Sequence, residues 1–470
     1  MIWLAQLDRS PLGKTRGISY NECMHTSDCR AKKAQETPQP MGRDDVRYLT
    51  YIRILQRELV PAMGCTEPIA IAYCAAVARS VLGALPDRVI VEASGNIIKN
   101  VKSVIVPNTD GHRGIEAAAA IGILAGDPGK KLEVLSQVKD EQKKALPAYL
   151  ANTAFEVRPA ENGLVLDLKV QVFSGASQAA VRIANAHTNI VSMEKDGQPV
   201  PLGQLAQGDA PREEADKPDY DLLSVEGIYS FAMGADIADV KDVLDRQIAF
   251  NTAISQEGLR GDYGANIGSV LLESYGDEVR NRAKARAAAG SDARMNGCEL
   301  PVVINSGSGN QGLTASLPVI EYAQTLHVTQ EQLYRALLIS NLCAIHQKSG
   351  IGALSAYCGA VSAGAGAGAG IAYLRGGGYS GVAHTIVNTL AITSGIVCDG
   401  AKASCAAKIA TAVDAGILGY DMYLHGQQFY NGDGLVAAGV ENTIRNIARL
   451  GRDGMRETDR EIIQMMTCDM

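Results

Sequence analysis

The chain has 470 residues, 46% of them hydrophobic and 20% charged, with a formal charge of −7. That length and balance predict two or three globular domains with ample cores, and they exclude the basic footprint of a nucleic-acid or anionic-lipid binder. Gly (49) is abundant while Phe (5) and Trp (1) are scarce, so the core is expected to consist of closely approaching helices around a small-molecule site.

Residues 1–43 read as an irregular N-terminal extension, with "ETPQPMG" as a linker, and carry no assigned function. The start, "MIWLAQLDRSPLGK", lacks the apolar core of a secretory signal. The ten cysteines therefore point to a cytoplasmic protein using thiols for catalysis or metal binding rather than for disulfides. Residues 44–86 read as two helices. "DDVRYLTYIRILQRELVPAMG" has helical spacing, and a second helix follows "GCTEP", with Thr66 as N-cap and Glu67 in the first turn, running to near Pro86. Residues 87–235 change texture. "DRVIVEASGNIIKN", "KSVIVPN", "FEVRPAENGLVLDLKVQVF" and "AAVRIANAHTNIVSMEKDGQPV" read as strands, with "GIEAAAAIGILAG" and "SQVKDEQKKALPAYLANT" interleaved as helices. Residues 236–470 read almost wholly as helix. The expected fold class is α+β multidomain: a mainly helical catalytic domain with an inserted α/β sheet module. Between Lys348 and Arg375 no residue is charged, a stretch long enough to cross a bilayer. Its Gly, Ala and Ser content instead favours a buried helix packed backbone to backbone, with no membrane span.

Three cysteines stand among small residues: Cys358 in "LSAYCGAVSAG", and Cys398 and Cys405 in "GIVCDGAKASCAAK". They lack the close pairs of zinc sites. Their spacing suits an iron–sulfur cluster held between helices, with Cys405 in a first helical turn, and three ligands would leave one iron open as a Lewis acid. Free thiols buried as small hydrophobes explain the same residues, and spacing alone leaves both readings standing. Cys65 precedes a helix N-terminus, where a thiol pKa is lowered and a thiolate can act as general base; a packed cysteine in a tight turn is the alternative. Cys74, Cys298 and Cys343 read as structural. Cys468, in "MMTCDM", is either a tail ligand reaching back to the open iron or part of a frayed end.

"NSGSGNQG" surrounds Ser306, Ser308, Asn310 and Gln311 with glycines that let backbone N–H groups converge on a carboxylate or phosphate; a plain turn is the alternative. Arg294, in "SDARM", suits a carboxylate or its neighbour Asp292. His187 in "AHTNI" falls at a strand end, Lys348 follows His346 in "HQKSG", and "SGNIIKN" offers Asn96, Lys99 and Asn100.

Taken in order, "GCTEPIAIAY", "SDARM", "NSGSGNQG", "YCGAVSAG" and "CDGAKASC" resemble the bacterial and archaeal L-cysteine desulfidases, which are similar to the alpha chain of iron–sulfur L-serine dehydratases. The resemblance spans about residues 44 to 466. It implies a [4Fe–4S] cluster on Cys358, Cys398 and Cys405 and a catalytic thiol at Cys65. The implied reaction is β-elimination of L-cysteine to pyruvate, hydrogen sulfide and ammonia, without pyridoxal phosphate. The short "CDGAKASC", where dehydratases carry a longer "CDPIGG…PC" segment, moves the expectation toward the desulfidases and away from L-serine. Two rivals stand beside it. "SGSGNQG" also looks like the substrate loop of pyridoxal-phosphate eliminases, with Lys241 and Lys284 as upstream lysines, and a non-enzymatic iron–sulfur redox sensor would carry a fully ligated cluster. Oligomeric state is left open, a homo-oligomer included.

Overall fold

Tyr48, Tyr51, Ile52, Ile54 and Leu55 fall on one side of helix α1 (Tyr48–Glu58) and bury it. The computed structural model describes residues 37–202 and 218–467, and from Pro38 onward they form one unit. After the short strand β1 (Pro61–Met63), helix α2 (Thr66–Leu82) is buried along almost its whole length. Cys65 occupies the N-cap position expected for Thr66, whose hydroxyl donates instead to Glu67 Oε2. Gly83, with φ +81°, ends the helix at its left-handed cap.

Strand β2 (Arg88–Ala93) is followed directly by helix α3 (Gly95–Val101), so "SGNIIKN" is helical and not the strand its β-branched residues suggested. The apolar side chains Ile97, Ile98 and Val101 recur at helical spacing and are buried. "KSVIVPN" forms no strand either; Ile105 makes an isolated bridge to Arg113 while Val104 and Val106 fill the core. Helices α4 (Gly114–Ala125) and α5 (Asp140–Asn152) come where expected. Strands β3 (Ala154–Pro159), β4 (Asp167–Ser174), β5 (Ser177–Ala184), β6 (Ile190–Lys195) and β7 (Gln198–Pro199) complete a sheet of order β3-β2-β4-β5-β6-β7, parallel only between β2 and β3. Val170 and Val181 face each other across β4 and β5, and the Cys74 thiol reaches the Val181 carbonyl at 3.3 Å. Helix α2 therefore lies on the sheet, and Cys74 is core as expected.

Helices α6 (Val225–Gly234), α7 (Lys241–Arg260), α8 (Ile267–Tyr275) and α9 (Val279–Met295) precede strand β8 (Pro301–Val303), which pairs antiparallel with β1. That ribbon ties the segment before α2 to the segment before α10 (Gly309–Thr325). Then come α11 (Gln330–Ile351), α12 (Gly359–Leu374), α13 (Gly378–Thr393), α14 (Cys405–Leu424), α15 (Val440–Arg449) and α16 (Arg456–Thr467). The low-complexity "SAGAGAGAGIA" lies in α12 and is fully buried. A Cβ on Gly366 would stand 2.4 Å from the Ser340 carbonyl of α11, and one on Gly364 would stand 2.6 Å from the Ala412 carbonyl of α14. The backbones touch, which is why the segment is glycine and alanine. Gly366→Ala is expected to cost about 1–3 kcal/mol as an overpacking change, read as an earlier thermal unfolding midpoint. No helix among the described residues is long and apolar enough to cross a membrane.

Candidate active site

Backbone pairing brings two of the three cysteines together. Tyr357 and Val397 form an antiparallel bridge, the Cys358 amide donates to the Ile396 carbonyl at 3.2 Å, and the Cys398 amide donates to the Ala356 carbonyl at 2.6 Å. Cys358 is the N-cap of α12 and Cys405 the first residue of α14, so two thiols start helices. Between Cys398 and Cys405 the loop is clamped by its own charges. The Asp399 carboxylate accepts from Lys402 and Lys408, and Lys408 also donates to the Val397 carbonyl at 2.9 Å. Gly400 has φ +90° and lies where a Cβ would be 2.4 Å from the Lys99 carbonyl. Gly400→Ala is therefore expected to push the cysteine loop off α3, read as an earlier thermal unfolding midpoint.

All three cysteines line one cleft, whose volume with its open mouth is about 800 Å³. Every substrate-contact residue picked from sequence lines it as well: His187, Arg294, Ser306, Ser308, Asn310, Gln311 and Lys348. Buried polar atoms without a hydrogen-bond partner gather there too. Asn96 Oδ1, Arg294 Nε, Gln311 Oε1 and the Tyr357 hydroxyl are all in this state, on residues of the cleft wall. Each such atom costs about 1–3 kcal/mol unless something pairs with it, so the cluster marks where a polar guest belongs.

Arg294 does not pair with Asp292, which accepts instead from the Gly268 amide. Its Nη1 donates to Asn310 Oδ1 at 3.0 Å, and it can lie so close because Gly309 has no side chain: a Cβ there would be 2.1 Å from Nε. Lys348 is buried and, among the described residues, its ammonium makes no hydrogen bond or ion pair; burial pushes it down to about 8 against the pull of Cys398 and Cys358. His187, in the turn between β5 and β6, sits beside the "NSGSGNQG" loop, with Cε1 3.4 Å from where a Gly307 Cβ would be. Its Nε2 is 3.7 Å from Glu67 Oε1, an ion-pair separation rather than a hydrogen bond. Burial raises the Glu67 carboxyl, but His187 and the Arg294 charge outweigh that and hold it at about 2. A depressed carboxyl contributes stability above its ordinary 4.5 that is lost as pH falls toward 2, so Glu67→Gln should flatten the acid limb of stability measured by chemical denaturation.

Cys65 behaves differently from the expectation. It lies beneath the wall, not on it, with Sγ 3.1 Å from Met295 Sδ and packed on Val104 and Cys405. Desolvation outweighs the nearby Arg294 charge and pushes the thiol up to about 12. Lys241 pairs with Asp245 and Lys284 with Asp414, and neither lines the cleft. His346 is engaged with Glu441 at 2.8 Å. Cys468 lies outside the described residues.

Residues 129–464, most of the chain, match the family model described as serine dehydratase alpha chain. The chain belongs to that family. It is similar to a "UPF0597 protein" of Desulfitobacterium hafniense, 59% identical over 426 residues, which cover 91% of this chain and 98% of that protein. A "UPF0597 protein" of Lachnoclostridium phytofermentans is 53% identical over 421 residues (89% and 99%), and one of Finegoldia magna is 48% identical over 417 (88% and 99%). The serine dehydratase family is one of lyase-type enzymes acting on small molecules and associated with iron–sulfur clusters. The matched residues include Cys358, Cys398 and Cys405, and leave Cys65, Glu67 and helix α3 outside.

As a donor set, three cysteines lining one cleft have the soft-sulfur chemistry such a group takes. Among the described residues no three His, Cys, Asp or Glu side chains are grouped as a single metal ion requires. Glu67, Tyr357 and the Asp399 clamp were not singled out as site residues by sequence. The "E" of "GCTEP" was a usable signal for Glu67; nothing local announces the clamp.

Proposed function

We propose that the chain is an iron–sulfur lyase that eliminates the β-substituent of a small L-amino acid without pyridoxal phosphate, with L-cysteine as substrate. The observation that carries this is the convergence of three cysteines with unpaired donors and acceptors on one cleft. The compact "CDGAKASC" segment supports L-cysteine; the family's serine dehydratase description supports L-serine as the second reading. Cys358, Cys398 and Cys405 hold a [4Fe–4S] cluster, which when bound supplies a Lewis-acidic iron for the departing sulfur or oxygen.

The chain's own groups do the rest. Arg294, Lys348 and the "NSGSGNQG" backbone receive the α-carboxylate. His187, in its neutral form and beside Glu67, takes the Cα proton; the electron pair left on Cα forms the double bond to Cβ as the Cβ–S bond breaks and the sulfur departs with its bonding pair as hydrosulfide. Aminoacrylate leaves, tautomerises to the imine and hydrolyses in water to pyruvate and ammonia. Because Gly309 gives Arg294 its place, Gly309→Ala should raise KM about tenfold or more, the worth of one charge-assisted hydrogen bond at ~1.5–3 kcal/mol, with a smaller change in kcat. The deciding assay is anaerobic: reconstituted protein with L-cysteine and L-serine in parallel, measuring sulfide and pyruvate. Pyruvate from neither amino acid overturns the reading, and pyruvate from L-serine alone selects the second one.

A further inference from the structure

The cleft is lined by the cations Arg294 and Lys348 and the "NSGSGNQG" loop. Helix α3 adds Asn96 and Asn100, four residues apart and so on one face. Asn100 Nδ2 donates to Glu67 Oε1 at 3.0 Å, which places an ionised carboxylate behind that face. Asn96 Nδ2 donates to Asp459 Oδ2 at 2.8 Å, and Lys99 donates to Asp459 Oδ1 at 2.6 Å. An ionised carboxylate only accepts, so Asp459 fixes which end of the Asn96 amide faces it. The other end, Oδ1, is buried and has no partner.

We infer that Asn96 Oδ1 is the acceptor for the α-ammonium group of the substrate, and that Asp459, from the C-terminal helix α16, is the positioning residue that aims it. This rests on the amino-acid lyase reading. A zwitterion needs an acceptor for its ammonium as well as donors for its carboxylate, and this buried amide oxygen, on a residue that lines the cleft, stands without a partner. Lys99 adds no net charge to the wall because Asp459 neutralises it. The site is then selective for an amino group at Cα: the deaminated acid of the same length loses this contact and keeps all others.

The test uses anaerobically reconstituted full-length protein, with L-cysteine and 3-mercaptopropionate as probes. In Asn96→Leu, KM for L-cysteine should rise about 10- to 100-fold while kcat stays within about threefold, the value of one hydrogen bond to a charged group. The inhibition constant of 3-mercaptopropionate should change less than about threefold. Asp459→Asn, which lets the Asn96 amide turn over, should give the same split at smaller size, and it carries the test if Asn96→Leu does not fold. Equal losses for both probes, or none, overturn the inference. Calorimetric binding of the two probes separates it from the reading beneath it. Wild-type protein that prefers L-cysteine but does not turn over L-cysteine or L-serine refutes the lyase, and a variant that keeps the preference refutes Asn96.

Discussion

Alanine at Cys358, Cys398 or Cys405 should abolish both the broad visible absorption of the reconstituted protein and its release of sulfide, while leaving the fold intact. A Lewis-acid contribution of several kcal/mol corresponds to a rate loss on the order of 10³-fold or more. The fold should survive because the helices behind the thiols are joined by contacts that no metal mediates. Gly364 of α12 rests on Ala412 of α14, and Gly366 rests on Ser340 of α11. Circular dichroism and thermal unfolding check that half of the expectation; iron, sulfide and turnover check the other. Full turnover in any one of the three variants would remove the cluster from the mechanism.

His187→Asn should lower kcat by about 10²- to 10⁴-fold, the usual worth of a positioned general base, with cluster absorption unchanged. Cys65→Ala should keep kcat within about tenfold. The contrast follows from placement. His187 lines the cleft between Glu67 and the Gly307 loop, whereas Cys65 is sealed beneath the wall against Met295, its thiol held up to about 12. The opposite pattern, with Cys65 essential and His187 dispensable, would restore the thiolate as base and require the wall to open. Glu67→Gln should reproduce part of the His187 loss, since it removes the charge that orients the imidazole.

Much of this cleft was legible because the residues that line it sit in segments whose composition is unusual for a reason. "NSGSGNQG" carries glycines where Arg294 must come close, and "CDGAKASC" needs Gly400 where the loop meets Lys99. Sheet and bundle were legible from period and composition, down to the glycine helix. The misreadings share a cause. "SGNIIKN" and "KSVIVPN" are as rich in Ile and Val as real strands, but core packing and not β-propensity decides their shape. At Cys65 the helix N-terminus is legible in the sequence, whereas its burial by Val104, Met295 and Cys405, from three distant segments, is not. Asp459 was out of reach for the same reason: it meets Asn96 across 363 positions of sequence.

The strap between Tyr357 and Val397 is joined by main-chain hydrogen bonds, and the helices behind it meet through glycine contacts of backbone on backbone. On the proposed reading, a cluster lost to oxygen would leave this frame standing, and iron and sulfide supplied to the folded chain should suffice to restore turnover.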